Sequence, residues 1–449
     1  MIKIINKILN MLIGLVAISF GLLAKKKIKW FGIPLLIFSI TIGGYFIYRG
    51  YGDTPVVFGE GTSAADEPSR SISTSNYGFC RTMTATAGYT NGIGTTTTGL
   101  FPLISTSTIS TLSATSSGGR VEKLNDENNI PLDVVFVDDP TCYSPSTTTA
   151  IPHYFEKYAS TTGEFVAHIG TSDISSTTDK VITMYYGNSS ATDNLNSPGQ
   201  TYATSSPLNI LGHWDLSVPG TATTTVPDFT DSTYNNNHLT STFMDNADLV
   251  TAQIDGGLDF DGTNDKLRKD SLVDSPAANA PMSFSFWYKV VTNPTGTQQF
   301  VGIQTTSPLG SSVQSQFRSS ALGVGKWGGA MLVSATPPTA GIWHHFVYTF
   351  DGTTHKLFFD KVIQATSTTA PQTGTPNQIN IGSYSGNSEF FKGQVDNVRI
   401  YKQAITESDL ATIYNMERDS TTFWAFGSEE TAPSGASVVP DYNRKLFTN

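Results

Sequence analysis

Acidic side chains are the first candidates for chemistry in this 449-residue chain. Hydrolysis of a glycosidic bond needs two carboxylates, about 5–9.5 Å apart, on either side of the scissile bond. Residues 206–418 contain Glu389, Glu407 and Glu417, and none of them lies on an acidic strand that would pair it with a second carboxylate. The Gly-x-Ser-x-Gly and His-Glu-x-x-His motifs of other hydrolases are absent from the sequence as well. We therefore predict no catalytic residues and no enzymatic activity.

One aspartate raises a different question, because it lies within the strand pattern "KGQVDNVRIYK", residues 392–402. Strict alternation places Asp396 in the same row as Val398 and Ile400, and Asn397 in the opposite row. If the row of Asp396 faces a core, its charge needs a partner, since an unpaired buried carboxylate is very costly. Arg399 or a backbone amide could be that partner. Asp396 has no second carboxylate at a suitable spacing and is not predicted to be a catalytic acid.

Loop aromatics are the candidates for ligand binding. Trp327 lies in the Gly-rich stretch "GVGKWGGA", and Tyr384, Asn387 and Phe391 lie in or near the loop "GSYSGNSEFF". Aromatic faces combined with amide side chains are typical of sugar-binding sites, and loops at the rim of a β-sandwich commonly hold ligands. We predict Trp327, Tyr384 and Asn387 as ligand-binding residues. The alternative is that each is an ordinary loop side chain packed onto a strand.

The cysteines and histidines give little sign of a metal site. Cys80 and Cys142 form either one disulfide or two free thiols. No Cys-x-x-Cys motif exists and the seven histidines are scattered, so zinc is not predicted at the cysteines. His344 and His345 are adjacent on a predicted strand and point to opposite faces, so we expect one to be packed and the other exposed.

Composition predicts β-rich domains and an acidic exterior. Charged residues make up only 14% of the chain, while Ser, Thr, Gly and Asn are abundant, and 449 residues suit two or three domains. Residues 1–50 carry seven of the 27 basic side chains and none of the 37 acidic ones. The remainder is therefore strongly acidic, and nucleic acid is an unsuitable partner because phosphate binding needs clustered Lys and Arg.

The amino-terminal residues predict a membrane anchor. Residues 8–24 and 30–48 are two uncharged apolar segments, separated by "KKKIK" at residues 25–29. The second segment is long enough to cross a bilayer and the first is just below that length, which leaves open whether the first one spans. A signal peptide is a rival interpretation of the first segment. The lysines should stay cytoplasmic, which places everything after Arg49 outside the cytoplasm, at the cell membrane. Residues 51–74 form a predicted flexible linker.

Residues 75–205 alternate in short polar and apolar runs, which predicts an antiparallel β-sandwich. The pieces "GFCRTMTATA", "GLFPLIST", "IPHYFEKYASTTGEFVAHI" and "TDKVITMYYGNSSA" occur in that order. Together they resemble the family called domain of unknown function 2341. The resemblance implies a β-rich extracytoplasmic module and no assigned activity.

Residues 206–418 carry about a dozen short strands, including the hairpin pattern "FVYTFDGTTHKLFFD". This predicts a two-sheet jelly roll, and so a mainly β chain with two antiparallel β-sandwich domains after the transmembrane helices. The pieces "HWDLS", "LDFDGTND", "FSFWYKV", "GIWHHFVYTFDGTTHKLFFD" and "FKGQVDNVRIYKQAITESDLATIY" strongly resemble the LamG-like family of concanavalin A-like lectins and glucanases. The resemblance implies that Trp214, Trp287 and Trp343 pack in the core.

The same resemblance implies that the first and last strands of the domain lie side by side and that the aspartate of the last strand ligates a structural calcium ion. Asp396 is then the principal ligand, with Asp231 second and Asp215 third. Calcium prefers six to eight oxygen ligands, which acidic loops supply. Pairing of Asp396 with Arg399 or with an amide remains the alternative.

The sequence ends with one helix signal and a tail. Thr406 is the predicted N-cap of the helix in "ITESDLATIYNMER", and Leu410, Ile413 and Tyr414 make its apolar face. Residues 419–449 are a tail that is either frayed or a docking segment.

These patterns together predict a membrane-anchored extracytoplasmic protein for adhesion or recognition. The LamG-like domain would bind a surface glycan or an envelope or extracellular protein, and the amino-terminal segments would lie in the lipid bilayer. A structural cell-envelope protein with no small ligand is the alternative, and a glycoside hydrolase is the remaining one.

Overall fold

The chain divides into two compact units, residues 1–62 and 63–449. The computed structural model describes residues 46–48, 56–58 and 71–433, except for 87–95, 98–102, 107, 126–128, 145, 171–173, 176, 192–208, 218–227, 307–308, 327–329, 371–373 and 385–387. In the first unit, β1 (Phe46–Tyr48) pairs antiparallel with β2 (Val56–Phe58). The predicted membrane segments lie outside the described residues apart from β1. None of the helices described here is long and apolar enough to cross a bilayer.

The first module comprises residues 71–191 and is an antiparallel β structure with two main sheets around one core. The larger sheet contains β4, β12, β7, β8 and β3 in that order, and the smaller one contains β6, β10 and β9. Met83, Phe136 and Met184 of the larger sheet share a core with Phe155 and Phe165 of the smaller sheet. The strands are β3 (Ser71–Ser73), β4 (Phe79–Ala85), β5 (Thr96–Thr97), β6 (Leu103–Ser105), β7 (Val135–Val137), β8 (Thr147–Ile151), β9 (His153–Tyr158), β10 (Phe165–Ile169), β11 (Ile174–Ser175) and β12 (Lys180–Tyr186).

A disulfide between Cys80 and Cys142 ties β4 to the loop after β7. Of the two alternatives that the sequence left open, the structure shows the disulfide. Short 3₁₀ helices fill the turns of the chain at Thr74–Asn76, Ser110–Leu112, Thr115–Ser117 and Asn246–Asp248.

The second module comprises residues 209–418 and is a jelly roll of two stacked antiparallel sheets. Its strands are β13 (Ile210–Trp214), β14 (Thr240–Thr242), β15 (Leu249–Thr251), β16 (Gly256–Asp261), β17 (Lys266–Asp270), β18 (Met282–Lys289), β19 (Gln298–Thr306), β20 (Leu309–Arg318), β21 (Ala321–Lys326), β22 (Met331–Ala335), β23 (His344–Phe350), β24 (His355–Phe359), β25 (Val362–Ser367), β26 (Gln378–Ile381) and β27 (Lys392–Tyr401). We name the two sheets A and B. Sheet A runs β15-β16-β27-β18-β23-β24-β25, with β13 beside β27, and sheet B runs β14-β17-β26-β19-β20-β21-β22.

The inner faces of sheets A and B enclose a large apolar core that includes Trp214, Phe286, Phe300 and Phe346. The expected adjacency of the first and last strands is confirmed, because β13 pairs with residues 398–401 of β27. The predicted hairpin is also confirmed: Asp351 sits at its turn and accepts the backbone N–H groups of Thr353 and Thr354, each at 2.8 Å.

Helix α1 (Glu407–Arg418) begins at Thr406, as the sequence predicts. The Thr406 hydroxyl accepts the backbone N–H of Asp409 at 3.1 Å, and the Asp409 carboxylate accepts the backbone N–H of Thr406 at 3.2 Å. This reciprocal capping satisfies amides that the first helical turn leaves free. The apolar face packs on the outside of sheet A, where Leu410 and Ile413 meet Val347.

The chain then returns to the first module. After α2 (Ser420–Phe423), β28 (Trp424–Phe426) and β29 (Glu430–Thr431) pair with β4. Trp424 is fully buried in the core of the first module and donates its indole N–H to the Leu103 carbonyl at 3.0 Å. This part of the tail is therefore a docking segment that joins the two modules.

Candidate functional site

A β-bulge in β27 decides where Asp396 points. Trp287 of β18 is paired with Asp396 and Ser285 with Arg399, so β27 holds one more residue than its neighbour between these pairs. The extra residue is Asn397, which adopts the left-handed conformation with φ 51°. Val395 and Val398 both face the sandwich core. The predicted row of Asp396 with Val398 is therefore wrong: the bulge interrupts the alternation, and Asp396 lies on the opposite, outer side of sheet A.

Asp396 is fully buried on that outer side. Its Oδ2 accepts the backbone N–H of Ile254 at 3.0 Å, and its Oδ1 accepts no hydrogen bond. Burial, followed by the nearby Glu156 carboxylate, raises the pKa of Asp396 well above its ordinary value. Arg399 forms an ion pair with Glu417 of α1. Of the partners expected for Asp396, the structure thus shows the backbone amide.

Asp396 belongs to a group of titratable and amide side chains between the two modules, which we call the junction cluster; its members are buried except for Asp215, which is partly exposed. Two members come from the first module and the rest from β13, its following loop, β23, β27 and α1. His168 Nε2 lies 2.9 Å from Glu156 Oε2, and both residues are buried. The members are Glu156, His168, His213, Asp215, His345, Asp396, Asn397, Arg399 and Glu417.

Burial controls protonation in this cluster. It raises the pKa of Glu156 to about 8, with Asp255 adding to the shift, while Ser217 and Arg399 oppose it. It likewise raises the pKa of Asp215 to about 7 and lowers that of His168 to about 4. These directions all favour the neutral form of each group, which is what desolvation does when no counter-charge is close enough.

Sequence reasoning missed most of the junction cluster. Glu156 and His168 lie in a different module from Asp396, and no local motif connects them. Three histidines that look scattered, His168, His213 and His345, come together here: the rings of His168 and His213 are 5.2 Å apart, and His345 Nε2 lies 3.9 Å from Glu417. The prediction that either His344 or His345 is exposed is wrong, since both are buried.

Among the described residues, the three predicted calcium ligands are not a group whose ligand atoms all lie within 4.8 Å of one another, and calcium binding stays a prediction. The Asp231 carboxylate accepts the backbone N–H groups of His213, Thr233 and Asn237 and the Thr233 hydroxyl, at 2.8–3.1 Å. It therefore organises the turn after β13 and has few lone pairs left for an ion. In the described part of the chain, two triplets have ligand atoms within 4.8 Å of one another. One contains the disulfide-bonded cysteines, and the other is Glu156, His168 and Asp215.

The outer face of sheet B is built differently, from uncharged amides. On β26 and β20 the apolar residues Ile379, Ile381 and Phe317 face the core, and the residues between them face outward. We call the outward set the amide face; each of its side chains is at most 5% exposed. It consists of Gln299, Gln304, Gln314, Gln316, Gln378 and Asn380. Alternation in "SVQSQF" and "NQINI" is the sequence signal that could have revealed it.

Hydrogen bonds fix which groups of the amide face act as donors and which act as acceptors. Asp270 of β17 accepts from the Gln378 amide N–H, and the Gln378 carbonyl accepts from the amide groups of Gln304 and Asn380. An ionised carboxylate can only accept a hydrogen bond. Gln378 must therefore direct its amide NH₂ group toward Asp270 and its carbonyl oxygen toward Gln304 and Asn380. Gln304 Oε1 and Asn380 Oδ1 are then left as acceptors without a partner, and Gln299 has neither an acceptor for its Nε2 nor a donor for its Oε1.

The predicted ligand-binding residues adjoin this face only in part. Trp327 and Asn387 lie outside the described residues. Tyr384 is half-buried and follows β26, the strand that carries Gln378 and Asn380. Phe391, the other aromatic of that loop, is fully buried in the core against Phe300.

Of the three tryptophans predicted to pack in the core, Trp214 alone lies in the core between the two sheets. Trp214 and Trp287 are buried, although Trp287 faces the junction cluster and donates to Glu417 at 2.7 Å. Trp343 is only partly buried.

Comparison with known proteins gives a family match for part of the second module. Residues 261–411 match the family model described as the concanavalin A-like lectin/glucanases superfamily, so this part of the chain is a concanavalin A-like domain. The match includes the whole amide face and Asp396, and it does not extend to the first module, whose resemblance to a domain of unknown function stays a prediction. No curated protein shows a significant match to the chain.

Several solved structures are similar at low identity. Domain 4 of AbnA, an extracellular arabinanase from Geobacillus stearothermophilus solved with arabinotriose, is 22% identical over 46% of this chain and 98% of that chain, with a TM-score of 0.33. Trypanosoma rangeli sialidase is 12% identical over 48% of this chain and 33% of that one, with a TM-score of 0.35. The botulinum neurotoxin serotype D binding domain is 12% identical over 46% and 50%, with a TM-score of 0.33. With TM-scores below 0.5, none of these likenesses bears on function.

Proposed function

We propose that the second module is a non-catalytic carbohydrate-binding module that recognises a neutral glycan through the amide face. The observation that carries this proposal is the hydrogen-bond chain from Asp270, which leaves carbonyl acceptors of Gln304 and Asn380 without partners. Buried acceptors without a donor are costly, and sugar hydroxyls are suitable donors. The lectin/glucanase family match over residues 261–411 supports the same class of ligand.

The chemistry of the face favours a neutral ligand. Its six members are amides, which both donate and accept, and they bear no charge that would select an anion or a cation. Asp270, a carboxylate at its border, is already engaged by Arg268 and Gln378. Because the amides are at most 5% exposed, binding requires side chains at the border of the face to move aside. Tyr384 is half-buried at this border and is suited to stacking on a sugar ring.

A hydrolase is the weaker alternative. Glu407 and Glu417 lie on α1, which packs on sheet A, so they are on the other side of the sandwich from the amide face. Glu417 is moreover buried in an ion pair with Arg399. Neither can flank a glycosidic bond that is held on sheet B.

We propose further that the chain presents this module outside the cytoplasm, at the cell membrane, for adhesion or recognition of a surface glycan or envelope protein. The two apolar amino-terminal segments and the basic residues between them support a bilayer anchor. The Cys80–Cys142 disulfide supports an oxidising compartment, because disulfides rarely persist in the cytosol.

The test is glycan binding by the full-length chain, first on a glycan array and then by titration calorimetry with the best ligand. Asp270→Asn removes the fixed acceptor while keeping the side-chain shape, so the Kd should rise at least 10-fold. Asn380→Ala should have a similar effect. Asp274→Asn is the matched control, because Asp274 pairs with Lys402, away from the amide face, and its variant should bind as the wild type does.

Each other outcome selects a different function. Unchanged affinity in Asp270→Asn together with lost binding in Trp327→Ala would place the site on the loop aromatics. No glycan binding together with regular self-assembly would favour the structural envelope protein. Release of reducing ends from a β-glucan would establish a hydrolase.

A further inference from the structure

Three side chains of the junction cluster bring their donor atoms together across the boundary between the modules. One carboxylate oxygen each of Glu156 and Asp215 and one ring nitrogen of His168 all lie within 4.8 Å of one another. Glu156 and His168 project from the neighbouring strands β9 and β10, where Glu156 is the extra residue of a β-bulge and His168 is paired with Tyr154. Asp215 follows β13 of the second module directly. The arrangement therefore depends on both modules being in place.

We propose that Glu156, His168 and Asp215 bind one divalent metal ion of the zinc class, which fastens the first module to the second. This inference does not depend on glycan binding. A second observation points to a ligand at this place: Glu156 Oε1 is buried without a hydrogen-bond partner, in a residue that is only 6% exposed. A cation supplies the missing attraction for such an oxygen.

The donor set decides the class of metal. An imidazole nitrogen together with carboxylates suits Zn²⁺ and its transition-metal neighbours, whereas Ca²⁺ and Mg²⁺ prefer shells made of oxygen alone. Three protein ligands and one water are a common zinc shell. Ligand atoms about 2.1 Å from a tetrahedral ion lie about 3.4 Å apart. His168 Nε2 and Glu156 Oε2 are 2.9 Å apart, so a small side-chain rotation brings them to the required spacing.

The surrounding charges favour a cation. The cluster contains the carboxylates of Glu156, Asp215, Asp396 and Glu417, and its arginine, Arg399, is paired with Glu417. Lys157, the nearest lysine on β9, is paired with Glu164 at 3.0 Å and Asp255 at 2.7 Å. A divalent ion would offset the charges that Glu156 and Asp215 carry when they act as its ligands. The Asp215 side chain is 16% exposed, which gives the ion a route from solvent.

The experiment uses the full-length chain stripped with a chelator. One equivalent of Zn²⁺ should remain bound after gel filtration, as measured by elemental analysis, and Co²⁺ in its place should give the visible absorption of a four-coordinate ion. Zn²⁺ should also raise the thermal unfolding midpoint. Glu156→Gln and Asp215→Asn should each raise the Kd for Zn²⁺ at least 100-fold.

Both substitutions keep the side-chain shape, and near-ultraviolet circular dichroism of the metal-free proteins checks that each variant folds. The control is Glu164→Gln, a carboxylate that is 40% exposed and paired with Lys157, and it should bind Zn²⁺ as the wild type does. Asp396→Asn should retain the bound equivalent, because Asp396 is outside the triplet. The proposal is overturned if the wild type retains no Zn²⁺, if folded Glu156→Gln binds it unchanged, or if Asp396→Asn abolishes binding while Glu156→Gln does not.

Discussion

The outer faces of sheets A and B bury different kinds of polar side chain. The outer face of sheet A carries titratable groups, including Asp396 and the ion pair of Arg399 with Glu417, and it is covered by α1 and the first module. Sheet B carries neutral amides such as Gln378 and Asn380. A buried charge needs a specific counter-charge, while a buried amide needs only hydrogen-bond partners. The outer face of sheet A therefore joins the two modules. The uncharged amides of sheet B are the basis for proposing a neutral ligand there.

Breaking the ion pair of Arg399 with Glu417 on the outer face of sheet A should cause the largest loss of stability. Arg399→Met leaves the Glu417 carboxylate, 1% exposed, without its cation, and should lower the free energy of unfolding by about 3–5 kcal/mol in urea denaturation. Lys356→Met breaks an exposed pair with Glu407 and should cost less than about 1 kcal/mol. Adding Glu417→Gln to Arg399→Met should recover part of the loss. Equal costs for the two single variants would contradict a distinct buried charged face.

Substitutions of Asn397, in the bulge that turns Asp396 outward, should have the next largest effect on stability. Asn397→Ala and Asn397→Gly both lose the side-chain contacts with His213 and Glu417, but glycine adopts a positive φ without strain. The glycine variant should therefore be more stable than the alanine variant by about 1–2 kcal/mol in the same denaturation experiment. A more stable alanine variant would mean that the left-handed conformation is not required there.

The pair of buried His344 with partly exposed Asp360 should show an intermediate, pH-dependent effect on stability. His344 Nδ1 lies 2.6 Å from Asp360 Oδ2. Burial lowers the pKa of His344, but the bond to Asp360, the bond to the Thr339 carbonyl and the charge of Asp360 together outweigh burial, so the pKa lies above its ordinary value. For Asp360, burial raises the pKa, but the bonds from His344 and from the His345 backbone N–H, with the charges of both histidines, together outweigh it and lower the pKa.

The sign of the pH dependence follows from these shifts. Stabilisation from His344 is complete below its ordinary pKa and is lost as pH rises through its raised value, while Asp360 stays ionised in this range. Asp360→Asn should therefore cost about 1 kcal/mol more at pH 5 than at pH 9, measured by thermal unfolding. Asp274→Asn, whose partner Lys402 is not a histidine, is the control and should show a cost that is the same at both pH values. A cost for Asp360→Asn that rises with pH would refute the assignment.

The smallest effect on stability is expected on the amide face. A Cβ at Gly325 would lie 1.9 Å from Gln316 Nε2, the mobile end of a side chain, so Gly325→Ala should displace Gln316. We expect a change in the unfolding free energy of at most about 1 kcal/mol together with weaker glycan binding. Gly296→Ala, whose Cβ would meet no atom within 4 Å, should change neither. A large loss of stability in Gly325→Ala would show that the amides support the fold and are not a ligand surface.

Local sequence patterns determined the elements of this protein. The Thr406 cap, the turn at Asp351 and the strands of the jelly roll are set by neighbours within a few residues, so they could be predicted. The direction of Asp396 could not, because one residue in a left-handed conformation reverses every side chain beyond it. The disulfide, left open by the sequence, required Cys80 and Cys142 to meet across 62 residues.

Only the tertiary structure decided the two candidate sites. Glu156 and His168 meet Asp215 because the tail carries α1 and β28 back to the first module and holds the modules together. The amide face exists because antiparallel pairing aligns alternate residues of β26, β19 and β20 in one layer. Long-range pairing brings distant residues into contact and burial then sets their charge, and neither is encoded in the spacing of residues along the chain.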